Sequence, residues 1–377
     1  QQGVWSDTWD PERDWNERRV GGLTGVSPWC LLNVAKQLGV GTHEVTRAQT
    51  SGDPSDLNLN KRDITNARAF VTQYEDSLRY VHSERVWFKW SGVLWVRCDR
   101  DDQTELAKSF VDDLYEQYMT LRKDDPEGDK AAAWLRHCQY SSTKKAIDNM
   151  LDLAKSDQRI AVASMEDFDS DPFMFQAANG VINLSSGKLL APDPDCLISR
   201  SSPVNYVTGA RCPNWLKFLS EVFPEDPQTV ETVQRWMGYT LCGDVSEEIL
   251  LVELGVGANG KSVRDFIHRH VLGSYARAVS NSVITVSGEE DASKPSPELA
   301  SLCGLRYGSI NETQASDRLN ETAVKRIAGS ERIAARQLYG KPFEFTPTAK
   351  CSVRTNHRPV VFGTDEGIWR RLLLVRY

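Results

Sequence analysis

The 377 residues contain eight cysteines, and no two of them are close enough to form a Cys-x-x-Cys pair. That spacing excludes a zinc ribbon and a dense disulfide framework. Scattered single thiols suit a reducing compartment, so a cytoplasmic setting is expected. No apolar run approaches the ~18–20 residues of a membrane span. No charged-then-apolar N-terminal pattern marks a signal peptide. Internal repeats and low-complexity tracts are also missing. The chain starts at Gln1 rather than Met and is read as a piece of something longer.

An overall basic excess is lacking too, since the formal net charge is −7. A protein that coats nucleic acid nonspecifically is usually basic. The balance is uneven, however. From Glu321 to Tyr377 there are eleven Lys/Arg against five Asp/Glu, whereas Asp99 to Asp129 is rich in acid. Any nucleic-acid contact is therefore expected to be local and near the C-terminal end. Apolar residues make up 40% of the chain, enough for sizeable cores in two or three domains of ~100–200 residues each.

The first sixty residues carry turn signals at Gly21-Gly22 and Ser51-Gly52-Asp53-Pro54 and little else. Ala67 to Tyr80 reads as helical. Val86 to Trp90 and Val93 to Val96 read as two aromatic strands across Ser91-Gly92. Thr104 to Arg122 and Thr143 to Ser156 read as amphipathic helices. Asn179 to Leu190 reads as a second hairpin, followed by helices at Trp215 to Val222 and Pro227 to Leu241. Beyond that, strands alternate with helices. Strands are expected at Ile249 to Leu254, Leu305 to Ile310, Ala349 to Thr355 and Leu372 to Val375. Helices are expected at Ser262 to Val271 and Leu319 to Ala328, with a hairpin at Arg332 to Phe345. This alternation points to a mostly parallel α/β sheet.

Gly255-Val256-Gly257-Ala258-Asn259-Gly260-Lys261-Ser262 matches the phosphate-loop pattern GxxxxGK[ST] in full, with an apolar strand before it and a helix after. Glycines let backbone N–H groups curl around phosphate oxygens, and the helix N-terminus adds a favourable dipole at the same point. Lys261 is expected on the β- and γ-phosphates of ATP, the Ser262 hydroxyl on Mg²⁺, and Val263 in the helical turn that completes the nucleotide site. Asn311 and Glu312 follow the strand ending at Ile310, where open α/β sheets place ligands. Glu312 is the candidate for polarising the attacking water, with contact to Mg²⁺ through water. It also suits the start of an exposed loop. Asn311 stands where an acid is common, so Mg²⁺ would rest mainly on Ser262 and water. Asn356 follows another strand and can hydrogen-bond a γ-phosphate and a water, although Asn there is also a common turn residue. Arg370 and Arg371 can neutralise charge developing on the γ-phosphate, or can form a solvated basic pair. Tyr339-Gly340-Lys341 forms the turn of a basic hairpin that suits base stacking and phosphate contact on DNA.

In this order, these elements resemble the superfamily 3 helicases, and most closely the phage/plasmid primase–helicase family. The resemblance rests on GVGANGKS, on INET at Ile310 to Thr313, and on VKRIAGSERIAARQLYGKPFEFTP at Val324 to Pro347. TNHRP at Thr355 to Pro359 and DEGIWRR at Asp365 to Arg371 complete the motor set. Upstream, LRYVHSERVWFKWSGVLW, NGVINLSSGKLL and RCPNWLKFL resemble that family's pre-helicase domain.

The resemblance implies an AAA+-like α/β P-loop ATPase domain at 226–377, cut off at its C-terminal end. It also implies a mixed, mainly helical α+β pre-helicase domain at 59–225, with residues 1–58 as an extension or linker. The implied protein is a replicative ATP-dependent DNA helicase of a phage, prophage or plasmid, in the cytoplasm of a bacterial host. It would work as a homo-hexameric ring with 3′→5′ polarity on single-stranded and forked DNA, with a primase domain or partner, and away from membranes. Glu312 would be its Walker B glutamate, Asn356 its sensor, Lys341 its DNA-contacting hairpin residue, and Arg370 or Arg371 its arginine finger. The rival readings are an assembly or loading ATPase that does not unwind DNA, and a P-loop kinase or signalling NTPase. The kinase has no evident place for Asn356 or the arginine pair.

Overall fold

The computed structural model describes residues 62–99, 101–124, 128–285, 296–311, 319–338, 340–361 and 366–377. The expected extension at 1–58 lies outside the described residues. The chain forms two compact units. One takes in the described residues up to Phe168 together with Asp193–Ser199, and the other takes in Asp169–Pro192 and Arg200–Tyr377.

The first unit is mixed, with four helices and a small sheet. Helix α1 (Arg62–Tyr74) leads to strands β1 (Leu78–Val81), β2 (Val86–Trp90) and β3 (Trp95–Arg97). Helices α2 (Asp102–Asp124), α3 (Asp129–Ser141) and α4 (Lys144–Ala154) follow, and β4 (Ala161–Val162) completes a sheet of order β3-β2-β1-β4. The aromatic hairpin forms as expected, with Trp90 opposite Trp95 and Gly92 at φ +90° in the turn. The first helix is displaced from its expected span, starting at Arg62 rather than Ala67. It stops at Tyr74, and Leu78 and Tyr80 then turn alternately inward as strand residues do. Thr143 caps α4 by accepting from the Ala146 N–H, which fixes its start. Phe70, Phe110, Trp134 and Met150 fill the helical core, while Phe88, Trp95 and Phe168 fill a second cluster on the sheet.

The second unit opens with a meander, β5 (Met174–Ala177), β6 (Gly180–Asn183) and β7 (Lys188–Leu190), followed by helices α5 (Pro213–Val222) and α6 (Pro227–Tyr239). Strand β8 (Leu250–Leu254) passes through the glycine-rich loop into α7 (Lys261–Leu272) and β9 (Ala276–Val279). Short α8 (Pro297–Ala300) precedes β10 (Tyr307–Ile310), and α9 (Glu321–Ala328) precedes the hairpin β11 (Ile333–Arg336) and β12 (Pro342–Phe345). Strand β13 (Lys350–Thr355), short α10 (Glu366–Trp369) and β14 (Leu372–Arg376) close the unit. Five strands form one sheet, order β14-β8-β13-β10-β9, and every adjacent pair is parallel. The expected α/β sheet is thus present. It gains one strand, β9, whose mixed Ala276-Arg277-Ala278-Val279 sequence at the sheet edge lacks the apolar run of β8 or β14.

The expected domain boundary at 225/226 and the division into compact units differ. Residues of the meander and of α5 share one core with the parallel sheet: Phe175, Ile182, Trp215 and Leu219 pack with Leu251, Tyr307 and Leu373. Buried Arg306 reinforces this, donating to the Met174 carbonyl at 2.5 Å and stacking 4.6 Å over the Tyr275 ring.

Lys350, at the start of β13, is fully sequestered yet bonded: its Nζ donates to the carbonyls of Cys242, of Asp244 at 3.0 Å and of Thr348 at 3.1 Å. Burial lowers its pKa to about 8. Between pH ~8 and its unfolded value near 10.5, the unfolded chain holds more protons at this site, so folding strengthens as pH rises. The stability difference between the parent and Lys350→Met should therefore grow in the parent's favour across that window, by at most ~1.4 kcal/mol per pH unit. Denaturant unfolding of both proteins at stepped pH measures it. A pH-independent difference would mean that Lys350 does not titrate there.

Candidate nucleotide site

The glycine-rich loop stands at the C-terminal end of β8, between β14 and β13. Its start is anchored where the Gly255 N–H donates to the Thr355 carbonyl at 3.1 Å. Gly257 and Gly260 take φ of +101° and +91°, and Ala258 takes +51°. These left-handed values turn successive N–H groups toward one side. A Cβ at Gly255 would run into the Asn259 amide and come within 2.9 Å of the Tyr377 backbone carbonyl, which cannot swing aside as a side chain can, so this position favours glycine for space. The Lys261 ammonium lies back across the loop, donating to the Gly255 carbonyl at 2.6 Å and to Asn259 Oδ1 at 3.1 Å. Ser262 and Val263 are exposed in the first turn of α7.

A cavity of about 660 Å³ opens above this loop. It is lined by residues 257–263 together with Asn311, Arg354, Thr355 and Asn356. The parallel register explains the gathering. Val353 pairs with both Val252 and Ile310, so β8, β13 and β10 end side by side. The sheet thus brings the expected Lys261, Ser262 and Asn356 to one cavity. Glu312 and Tyr339 lie outside the described residues. Lys341 is exposed beside β12, on the hairpin whose strands pair from Ile333–Phe345 to Arg336–Pro342.

Arg370 and Arg371 stand elsewhere. Strand β14 runs parallel to β8 with Leu372 opposite Leu250, so both arginines precede the sheet at the end away from the loop. At ~3.3 Å per residue that separation is roughly 15 Å. Both guanidiniums are held by Glu248, at 2.8 and 2.6 Å. They do not reach the cavity of their own chain.

Beneath the loop lies a charged network that sequence reasoning missed. Arg264 pairs with Glu253 of β8, and both side chains are fully buried. Arg264 Nη1 also meets His268 Nδ1 at 3.1 Å. Burial, and then Arg264, lower the His268 pKa well below its usual value, so the ring is neutral. Arginine only donates, which makes Nδ1 the acceptor and leaves Nε2–H to donate to Thr240 Oγ1 at 2.7 Å. The neighbouring Asp265 accepts from the Tyr307 hydroxyl at 2.8 Å and pairs with Arg354 at 3.1 Å and Arg269 at 2.9 Å. Burial raises the Asp265 pKa, but the Ser309 hydroxyl, Arg354, Arg264 and Arg269 together outweigh it, and the carboxyl stays below its ordinary value. The sequence does hold a faint signal for one of these groups: Glu253 is a charged residue within the otherwise apolar Leu250–Leu254.

The arrangement fits a nucleoside triphosphate with a divalent cation. Oriented loop N–H groups, a helix N-terminus and the Lys261 ammonium suit a phosphate chain, and the exposed Ser262 hydroxyl suits the cation. Metal bound through phosphate needs few protein ligands. Among the described residues no cluster of three or more His, Cys, Asp or Glu could hold a metal by itself.

Residues 67–224 match the family described as D5 N terminal like. The chain is 30% identical over 217 residues to the "Putative helicase L207/L206" of Acanthamoeba polyphaga mimivirus, a match covering 56% of this chain and 22% of that protein. It is 27% identical over 214 residues to the "Putative primase C962R" of African swine fever virus, covering 55% of this chain and 22% of that protein. The chain therefore spans about a fifth of the length of these relatives. The solved C-terminal region of NrS-1 aligns with 83% of this chain and 61% of that one at TM-score 0.45 and 10% identity, too distant a likeness to carry an argument. The similarities place the chain beside viral proteins named for helicase or primase activity. No helix among the described residues is long and apolar enough to cross a membrane.

Proposed function

We propose that the chain is an ATP-dependent DNA helicase of the superfamily 3 type, with an AAA+-like P-loop ATPase domain, acting in the replication of a virus or mobile element. One observation carries the reading: the glycine-rich loop, Asn311 and Asn356 meet at the ends of three adjacent parallel strands around one cavity. In this reading, ATP lies on residues 255–263. Lys261 holds the β- and γ-phosphates, and Mg²⁺ carried with the nucleotide meets the Ser262 hydroxyl. Glu312, next to Asn311 in sequence, orients the attacking water, and Asn356 hydrogen-bonds that water or the γ-phosphate. Lys261→Ala should abolish ATP hydrolysis and strongly weaken ATP binding. The deciding experiment is strand displacement on forked DNA, with ATPase measured with and without single-stranded DNA. DNA-stimulated ATPase together with displacement supports a helicase. ATPase without displacement would assign a loading or assembly factor, and near-normal turnover by Lys261→Ala would end the nucleotide assignment.

The placement of Arg370 and Arg371 supports a ring, here taken as a homo-hexamer. They stand roughly 15 Å from their own loop end, so a role in hydrolysis requires the loop of a neighbouring subunit. Arg371→Ala should leave ATP binding intact and lower hydrolysis. Mixing Arg371→Ala with Glu312→Gln subunits should restore part of the activity, because some interfaces then join an intact Glu312 to an intact Arg371. Mixed rings that recover nothing would remove Arg371 from the site.

Forked DNA is proposed to pass the β11–β12 hairpin at its exposed Lys341. Its basic tip suits phosphate contact in an otherwise acidic chain. Lys341→Ala should weaken single-stranded DNA binding and spare ATPase without DNA. It should also lower the salt dependence of binding, by about one released counterion for each lysine–phosphate pair removed. Unchanged binding and salt slope would move the DNA grip away from this hairpin.

A further inference from the structure

Asn311 stands at the cavity edge in a position where the nucleotide reading expects a metal-binding acid. Its surroundings assign it another role. Arg354, from the neighbouring strand β13, donates from Nη2 to Asn311 Oδ1. The same nitrogen contacts Asp265 Oδ2 at 3.1 Å and Ser309 Oγ at 3.3 Å. The Arg354 side chain is only 12% exposed, and its partner Asp265 is completely buried. The guanidinium is therefore held from below by an ionised carboxylate, and its rotation is restricted.

Two consequences follow from the chemistry of the groups. A guanidinium has no acceptor, so the carboxamide must turn its oxygen to Arg354. The remaining polar group of Asn311 is its NH₂, which donates to no described residue. Asn311 itself is exposed at the cavity it helps to line. An NH₂ group cannot ligate a cation. The oxygen could, but a divalent ion there would sit beside a guanidinium, and like charges ~4 Å apart repel substantially in a partly buried setting.

We propose that Arg354 is a positioning residue that locks the Asn311 carboxamide so that it offers an N–H to the anionic oxygens of a bound nucleotide and does not serve as a ligand of the cation. The proposal rests on the nucleotide reading above. It makes the site tolerant of the missing acid: the β10 end supplies a phosphate donor, and the cation depends on Ser262 and water.

The test is ATP binding measured by titration calorimetry, with a Mg²⁺ series and with EDTA in place of metal. Asn311 is exposed, so its variants should fold. Asn311→Ala should weaken metal-free and Mg²⁺-loaded ATP binding by the same factor, roughly ten- to a hundredfold for one hydrogen bond to a charged group. The Mg²⁺ concentration giving half-maximal enhancement should not move. Asn311→Asp, which loses the donor and adds a carboxylate, should weaken metal-free binding more than Asn311→Ala does. A raised Mg²⁺ requirement in Asn311→Ala with unchanged metal-free affinity would overturn the proposal and make Asn311 a metal ligand. Unchanged affinity in both variants would overturn it as well.

The positioning claim has its own readout. Arg354→Lys should weaken metal-free binding in the parent background and have no further effect in Asn311→Ala. Additive losses would mean that Arg354 touches the nucleotide itself, against the proposal. Failure of the nucleotide reading looks different: the parent would bind ATP no better than Lys261→Ala does.

Discussion

Two adjacent residues near the start of one helix, Arg264 and Asp265, hold the candidate site together. Both side chains are entirely buried, and between them they bind three strands. Arg264 reaches back to Glu253 on β8, and Asp265 reaches sideways to Tyr307 on β10 and Arg354 on β13. Isolated charges at such depth would be untenable, so the helix can occupy only the placement in which every charge finds its partner. Removing one partner of such a pair costs ~3–5 kcal/mol. The placement of α7 sets that of the loop before it, because the loop has β8 at one end and α7 at the other.

The same network joins the walls of the cavity. Arg354 links Asp265 under the floor to Asn311 at the rim, and Thr355 of the same strand anchors Gly255. A shift of β13 would therefore be felt at the loop and at the β10 end together. That connection suits a site which must report the state of a phosphate to the rest of its domain. Glu248 holds the arginine pair at the opposite end of the sheet, so each chain carries the glycine-rich loop and the arginine pair at opposite ends of its strands.

Much of this was legible in the sequence. The eight residues Gly255 to Ser262 specify both a turn chemistry and a ligand chemistry, and the flanking apolar strand and amphipathic helix agree with them. Strands β8 and β14 announce themselves as short apolar runs, Leu250–Leu254 and Leu372–Arg376, because a buried parallel sheet needs apolar residues on both faces. What stayed hidden depends on distant pairing. Nothing local tells that Glu253, inside Leu-Leu-Val-Glu-Leu, has a buried arginine for a partner, or that Arg354 turns toward Asp265 rather than solvent. Strand β9 was missed because an edge strand needs no continuous apolar run. The association of the β5–β7 meander with the parallel sheet was missed because hairpin signals describe a local pairing and not the surface on which it packs. The roles of Glu312 and Tyr339 still rest on sequence pattern, as both lie outside the described residues.

The central claim is that a nucleotide occupies the cavity framed by the glycine-rich loop and the ends of β10 and β13. Hydrogen–deuterium exchange with and without Mg²⁺-ATP tests it most directly. The account predicts slowed exchange in peptides covering 255–264, 307–311 and 353–357, and unchanged exchange in peptides covering α1 to α4. Protection confined to other segments, or none at residues 255–264 at saturating nucleotide, would contradict it.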